Sequence, residues 1–163
     1  MTPAAGRRGL RAFAEICVVS AAYAALTILL APISYTAVQF RVAEVLKPLV
    51  IWRPHLVAAF VVGNVLSNLT SPHVGPWELV FMPVANLVGA TACVIVGRRF
   101  AYVGAALYAV IIATAVALML SALLKTPFAV LWPPLLLSEL VLIVGGVPIM
   151  RRIQDIVSAT IKL

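Results

Sequence analysis

An amide, a guanidinium and a carboxylate lie within six consecutive positions, at Gln39, Arg41 and Glu44. Long apolar runs flank this segment on both sides. Polar groups at the edge of an apolar span are costly to bury, and those that occur there usually serve a function. We therefore expect this segment to bind a polar ligand.

The composition predicts a small integral membrane protein. Of the 163 residues, 64% are hydrophobic and only 10% are charged, and the mean hydropathy is +1.13. A soluble domain with a polar surface is excluded by these values. The formal net charge is +7, and the Lys and Arg residues lie in short clusters between apolar runs. This pattern indicates membrane topology and not nucleic-acid binding.

Apolar runs of near-spanning length predict an all-α membrane protein with a single domain over residues 1–163. Six helices are expected, at about residues 14–30, 41–52, 55–69, 78–96, 101–124 and 135–150. The second contains Pro48, and its twelve residues rise only about 18 Å. It must therefore be tilted or broken, and buried against its neighbours.

The basic residues predict the orientation in the membrane. Ten of them fall in one set of alternate connections and two, Arg41 and Lys125, in the other. This bias places both termini in the cytoplasm and residues 32–40, 70–77 and 125–134 in outer loops. The ten inner positions are Arg7, Arg8, Arg11, Lys47, Arg53, Arg98, Arg99, Arg151, Arg152 and Lys162.

With this topology, the strong polar groups of four helices lie at similar outer depths. Asn64 and Asn68 are four residues apart and share one helix face, where hydrogen bonding between helices is the alternative role. Asn86 lies deeper in the fourth helix. Glu78 begins that helix, where complementing the helix dipole is the alternative. Glu139 has no basic residue on its own helix, so we expect a ligand to bring its donors.

Glu44 has two interpretations. It pairs with Arg41 or Lys47, three residues away, as a structural ion pair, or it binds the ligand. In the second case we expect Arg41 to hold Glu44 charged and correctly oriented.

Aromatic residues near the same mouth favour a flat heterocycle. Stacking of a ring on an aromatic side chain contributes roughly 1–3 kcal/mol, while carboxylates and amides complement ring nitrogens and carbonyls. The complete candidate set is Tyr35, Gln39, Phe40, Arg41, Glu44, Asn64, Asn68, Trp77, Glu78, Asn86, Trp132 and Glu139.

Other classes receive less support. His55 and His73 are single histidines on opposite sides, and Cys17 and Cys93 are expected to be buried packing residues, so no metal, cofactor or disulfide is predicted. No serine has a histidine partner that would indicate an enzyme. An autonomous small-solute carrier remains an alternative, although no internal repeat favours it.

The segment Ala31-Pro32-Ile33-Ser34-Tyr35, followed by Gln39-Phe40-Arg41-Val42-Ala43-Glu44, resembles the hallmark of the QueT family. These proteins are the queuosine-precursor substrate-binding (S) components of energy-coupling factor transporters. Asn68-Leu69-Thr70-Ser71-Pro72, with Gly75, Glu78 and Phe81, resembles the family's second signature, and Glu139 matches its acidic position in the last helix.

The resemblance implies a multi-pass protein of a prokaryotic plasma membrane that holds a queuosine precursor or related deazaguanine base near the outer face. Another vitamin-like heterocycle remains an alternative substrate. It also implies a membrane coupling subunit and two cytoplasmic ATPases as partners, since the chain has no G-x-x-x-x-G-K-[ST] phosphate loop. Ala21-x-x-x-Ala25 matches the expected docking pattern. The ladder Ala101, Ala105, Ala109, Ala113 and Ala117 packs either internally or against a partner.

Overall fold

A computed structural model describes residues 3–36 and 39–161 and is predominantly helical in these ranges, without strands. The α-helices are α1 (Pro3–Leu29), α2 (Ala31–Ser34), α3 (Val57–Asn68), α4 (Met82–Gly97), α5 (Ala101–Leu124), α6 (Phe128–Glu139) and α7 (Gly145–Ile161). A 3₁₀ segment covers Val42–Ile51, and a short 3₁₀ turn covers Pro54–Leu56. Two π-helical turns, Trp77–Phe81 and Leu140–Val144, precede α4 and α7.

Four helical stretches are long and apolar enough to cross a bilayer: Gly9–Leu29, Trp77–Gly97, Ala101–Leu124 and Phe128–Ala159. The remaining two predicted spans, at 41–52 and 55–69, are shorter in the structure. Within the described residues, the chain is therefore a helical membrane protein with four candidate spanning helices.

The predicted break in the second helix takes the form of a 3₁₀ helix. Pro48 lies inside the segment Val42–Ile51, whose residues are mostly buried. A 3₁₀ helix rises about 2.0 Å per residue, so ten residues extend only about 20 Å. The segment packs against α1, α4, α5 and α7, which is how its irregular backbone is kept from lipid.

Small residues bring α4 and α5 together. A methyl group added to Gly104 would lie 2.6 Å from the Cα of Gly97, so only glycine fits at this crossing. Further along the interface, Tyr108 packs over Gly89. The alanine ladder of α5 is buried from Ala105 to Ala117, which assigns it to internal packing.

Two of the predicted outer loops are partly helical. Residues 125–134 were expected to form an outer loop, but α6 begins at Phe128 and contains Pro133 and Pro134. Membrane helices tolerate proline, because neighbouring helices and local changes of turn satisfy the freed backbone groups. In the predicted loop 32–40, Ala31–Ser34 form α2, and residues 37 and 38 lie outside the described residues.

The helix ends also differ at the termini. The first helix begins at Pro3, well before residue 14, and the last helical stretch extends to Ile161, beyond residue 150. Cys17 is exposed on α1, where a buried residue was expected, whereas Cys93 is buried, and both are free thiols.

Candidate binding site

Nine polar or charged side chains are buried together, each at most 3% exposed. We call them the polar cluster: Gln39, Arg41, Glu44, Lys47, Asn64, Asn68, Glu78, Asn86 and Glu139. They come from the 3₁₀ segment and its approach, α3, the first π-helical turn, α4 and α6. Eight of the nine are predicted site residues.

Lys47 is the ninth, and its placement corrects the expectation that it lies at the cytoplasmic surface. Its ammonium group forms an ion pair with Glu44 Oε2, one 3₁₀ turn away, and both side chains are almost fully buried. The ammonium also lies 4.7 Å from the centre of the Tyr108 ring. Lys47 therefore lies in the interior of the protein, and the ion-pair interpretation of Glu44 matches the contacts observed.

Arg41 makes no hydrogen bond or ion pair with Glu44 in the described part of the chain. Its Nη1 donates to Asn68 Oδ1 at 3.3 Å, and its Nε donates to the backbone carbonyl of Ser34 at 3.4 Å. The guanidinium carbon lies 5.3 Å from the centre of the Tyr35 ring. Glu44 is instead oriented by Lys47 and by Tyr23, whose hydroxyl donates to Glu44 Oε1 at 2.6 Å. Spacing along the chain favoured Arg41 and Lys47 equally, and tertiary packing selects Lys47.

Asn68 connects three parts of the cluster. While its Oδ1 accepts from Arg41, its Nδ2 donates to the backbone carbonyl of Glu78 at 2.9 Å and to Asn64 Oδ1 at 3.4 Å. The two asparagines share a face of α3, as their spacing predicts. Asn68 thus fixes the main chain of Glu78 relative to Arg41.

Glu78 is completely buried in the π-helical turn Trp77–Phe81. Neither carboxylate oxygen has a hydrogen-bond partner among the residues that the structure describes. The backbone amide of Glu78 donates to Gly75 O at 3.0 Å. The carboxylate therefore accepts no hydrogen bond from the first turn. Complementing the helix dipole needs no such bond and stays the alternative to ligand binding.

Glu139 lies at the end of α6, beside the Glu44 carboxyl group. Its own helix carries no basic residue, as expected, and the fold brings Lys47 and Arg41 close enough to interact with it electrostatically. Its Oε2 has no hydrogen-bond partner in the described part of the chain.

The side-chain amides of Asn86 and Gln39 differ in their hydrogen bonding. Asn86 Oδ1 accepts from Tyr108 Oη at 3.0 Å and its Nδ2 donates to Met82 O at 3.2 Å, so Asn86 is engaged within the protein. Gln39 has a left-handed backbone, with φ of 45°. Its side chain is buried and its Oε1 has no described partner.

Three of the predicted aromatic residues lie apart from the polar cluster. Phe40 and Trp77 are 37% and 39% exposed, and Trp77 packs edge-on against Phe81. Trp132 donates from Nε1 to Thr114 Oγ1 at 3.1 Å, which places it at the α5–α6 contact. Only Tyr35 adjoins the cluster, where it faces Arg41 and donates to Ser67 O at 2.7 Å.

Sequence reasoning missed Lys47, Tyr23 and Tyr108 as members of this region. For Lys47 a signal was present, since it lies one turn from Glu44 in a helix too short to span the bilayer. The two tyrosines lie within long apolar helices, and nothing in their sequence context distinguishes them from packing residues.

A second polar network lies at the opposite end of the α1 span. Glu15 accepts from Arg11 at 3.0 Å, from Arg53 at 2.7 Å and contacts His55 at 2.8 Å, and Arg53 also donates to Gln154 at 2.6 Å. Through Arg53, this network joins Glu15 of α1 to Gln154 of α7. Within residues 3–36 and 39–161, no group of His, Cys, Asp and Glu is arranged to hold a metal ion.

No curated protein and no solved structure matches the chain significantly. The QueT transporter family model matches residues 13–155, which include the polar cluster and all four candidate spanning helices except their outermost residues. Because this match covers most of the chain, the protein belongs to the QueT transporter family.

Proposed function

We propose that the protein is the substrate-binding component of an energy-coupling factor transporter and that its polar cluster binds a queuosine precursor or a related deazaguanine base. A membrane coupling subunit and two cytoplasmic ATPases energise uptake. In this proposal the four long helices, the 3₁₀ segment and α3 form the six-helix bundle of an S component, with both termini in the cytoplasm of a prokaryotic cell.

The observation that carries the proposal is the excess of buried acceptors without donors. Four side-chain oxygens lack partners among the described residues: Gln39 Oε1, both oxygens of Glu78 and Glu139 Oε2. By comparison, one amide donor, Asn64 Nδ2, has no partner among these residues. The hydroxyls of Ser34 and Ser138 are also unpartnered, and each can either donate or accept a hydrogen bond. An orphaned buried acceptor costs about 1–3 kcal/mol, and more if it is charged. A ligand rich in N–H groups removes this cost.

A guanine-like edge has the required chemistry. It presents a ring N–H and an exocyclic amino group side by side, which one carboxylate accepts as a pair, while its ring carbonyl accepts from an amide such as Asn64 Nδ2. Glu78 offers two unpartnered oxygens for the paired contact, and Glu139 Oε2 can accept a further N–H from the ligand. Glu44 is already occupied by Lys47 and Tyr23.

Calorimetric titration of the detergent-purified protein with deazaguanine bases tests the proposal. We expect wild type to bind and Glu139→Gln to bind about 5- to 150-fold more weakly, which corresponds to roughly 1–3 kcal/mol for setting a donor against a donor. Asp155→Asn is the matched control, since Asp155 is exposed on α7 and should be neutral.

Two outcomes contradict different parts of the proposal. If wild type binds no deazaguanine base, the substrate assignment is wrong, and a panel of vitamins then tests another heterocycle. If wild type binds but folded Glu139→Gln retains wild-type affinity, the substrate stands and Glu139 is not a contact.

A further inference from the structure

A cavity of about 580 Å³ lies between α1, the 3₁₀ segment and α7, and shares no residue with the polar cluster. We call it the α1–α7 cavity. Most of its wall is apolar: Ala14, Val18, Val19, Leu49, Leu56, Ile153 and Val157. Its polar residues are Arg11, Glu15, Arg53 and Gln154, which are four of the five members of the network described above. The cavity therefore has an apolar body and a charged end.

The direction of this polarity matches that of a bilayer. Arg11 lies two residues after the start of the candidate span Gly9–Leu29, at interfacial depth. Val18 is seven residues further along α1, which places it about 10 Å deeper. A molecule with a charged head at the interface and an apolar chain toward the midplane fits this arrangement.

The charged end extends into a second, shallower cavity of about 340 Å³. This cavity shares Arg11, Glu15, Arg53 and Gln154 with the first and adds Ala12, Trp52 and His55. Tryptophan is enriched at the level of the lipid headgroups, where its ring is apolar and its N–H is polar. Space for a headgroup is thus continuous with space for a chain.

The charge at this end favours an anionic group. Two guanidinium groups surround the single carboxylate of Glu15. Arg53 is held in place by Glu15 and Gln154 and is only 15% exposed, whereas Arg11 is 48% exposed and uses only its Nε in the described contacts. The Nη atoms of Arg11 therefore remain available, and cationic sites between helix ends at the membrane surface attract anionic lipid headgroups.

We propose that the α1–α7 cavity binds an anionic phospholipid of the bilayer, with its phosphate against Arg11 and Arg53 and an acyl chain along the apolar wall. This site shares no residue with the polar cluster that the proposed function assigns to the substrate. Its occupant fastens α1 to α7 at the end of the bundle opposite the polar cluster.

The test is thermal unfolding of the purified protein with added phosphatidylglycerol or phosphatidylcholine of the same acyl chains. A molecule that binds only the folded state raises its apparent stability. We expect phosphatidylglycerol to raise the unfolding temperature by several degrees more than phosphatidylcholine, and native mass spectrometry to show one retained phosphatidylglycerol. Inorganic phosphate should have no such effect.

Three variants separate the head contact, the chain contact and general charge. Arg11→Gln removes the available cation, and Ala14→Phe fills the apolar wall without changing any charge, so each should reduce the phosphatidylglycerol effect to the phosphatidylcholine level. Arg98→Gln removes an exposed arginine after α4 and should leave the effect intact. Because two different changes test the site, failure of one variant to fold still leaves the other.

Four results would overturn the proposal. Equal stabilisation by the two lipids, or loss of the effect in Arg98→Gln, would show a non-specific surface interaction. If Ala14→Phe keeps the full phosphatidylglycerol effect, the α1–α7 cavity is not the lipid site. If inorganic phosphate raises the unfolding temperature as much as phosphatidylglycerol does, the acyl chain contributes nothing to binding. A wild-type dimer that excludes lipid and is lost in Ala14→Phe would assign the cavity to a second copy.

Discussion

The hydroxyl of Tyr23 donates a 2.6 Å hydrogen bond to Glu44 Oε1 and so joins the C-terminal third of α1 to the 3₁₀ segment. Tyr23 is completely buried, and its ring packs edge-on against Phe60 of α3 with the centroids 5.8 Å apart. One side chain therefore places Glu44 relative to two helices.

Tyr23→Phe should lower the free energy of unfolding by about 1–3 kcal/mol, because it removes a donor from a buried carboxylate oxygen without leaving a large cavity. Denaturation of the purified protein measures the change. The control is Tyr102→Phe, which alters a hydroxyl on a side chain that is 55% exposed. Equal effects of the two variants would show that the Tyr23 hydroxyl contributes nothing specific.

Lys47→Met should destabilise the protein by roughly 3–5 kcal/mol, because it leaves the buried Glu44 carboxylate without its cation. Adding Glu44→Gln to Lys47→Met should recover part of this loss, since no charge then remains uncompensated. The comparison uses unfolding free energies of both single variants and the double variant. Additive losses would mean that the two residues do not depend on each other.

Position 36 should be labelled by a thiol reagent applied from outside the cell, and position 98 should not, if both termini face the cytoplasm. Thr36 and Arg98 are both exposed in the structure, so the contrast reports the side of the membrane and not burial. The cysteines are introduced into a variant that lacks Cys17 and Cys93, because Cys17 is exposed and would itself react. The reverse labelling pattern would invert the topology.

Ala21→Leu and Ala25→Leu should weaken co-purification with the coupling subunit and leave ligand binding unchanged. Both alanines are exposed on α1, so the added side chain separates this face from a partner without entering the core. Ala122→Leu, on an exposed position of α5, is the control for bulk alone. Loss of ligand binding with intact assembly would instead connect this face to the site.

Most members of the polar cluster could be predicted from the sequence, because a polar side chain in an apolar span usually faces the protein interior. Helix boundaries and positive-inside bias predict a common depth for Glu44, Asn64, Asn68 and Glu139, and these side chains are buried together in the structure. Depth, however, does not specify direction around a helix axis. That is why Trp132, at a suitable height, contacts Thr114 and not the cluster.

The choice of partners could not be predicted from spacing. Arg41 and Lys47 are both three residues from Glu44, and in a regular helix either one could form an ion pair with its carboxylate. The 3₁₀ backbone and the packing of α1, α4, α5 and α7 around it decide between them. The same tertiary support explains why Pro133 and Pro134 lie inside a helix, where sequence alone favoured a loop.

The two π-helical turns share a relationship to the buried acids. Glu78 lies inside the first, and Glu139 directly precedes the second. Such a turn contains one residue more than a turn of α-helix. It therefore rotates the side chains before it about the helix axis, relative to the side chains after it. Deleting Val141 would let α6 and α7 join as one regular helix while turning Glu139 by about 100° relative to α7, away from Glu44. The extra residue thus costs the helix regular hydrogen bonding and gives the carboxylate its direction.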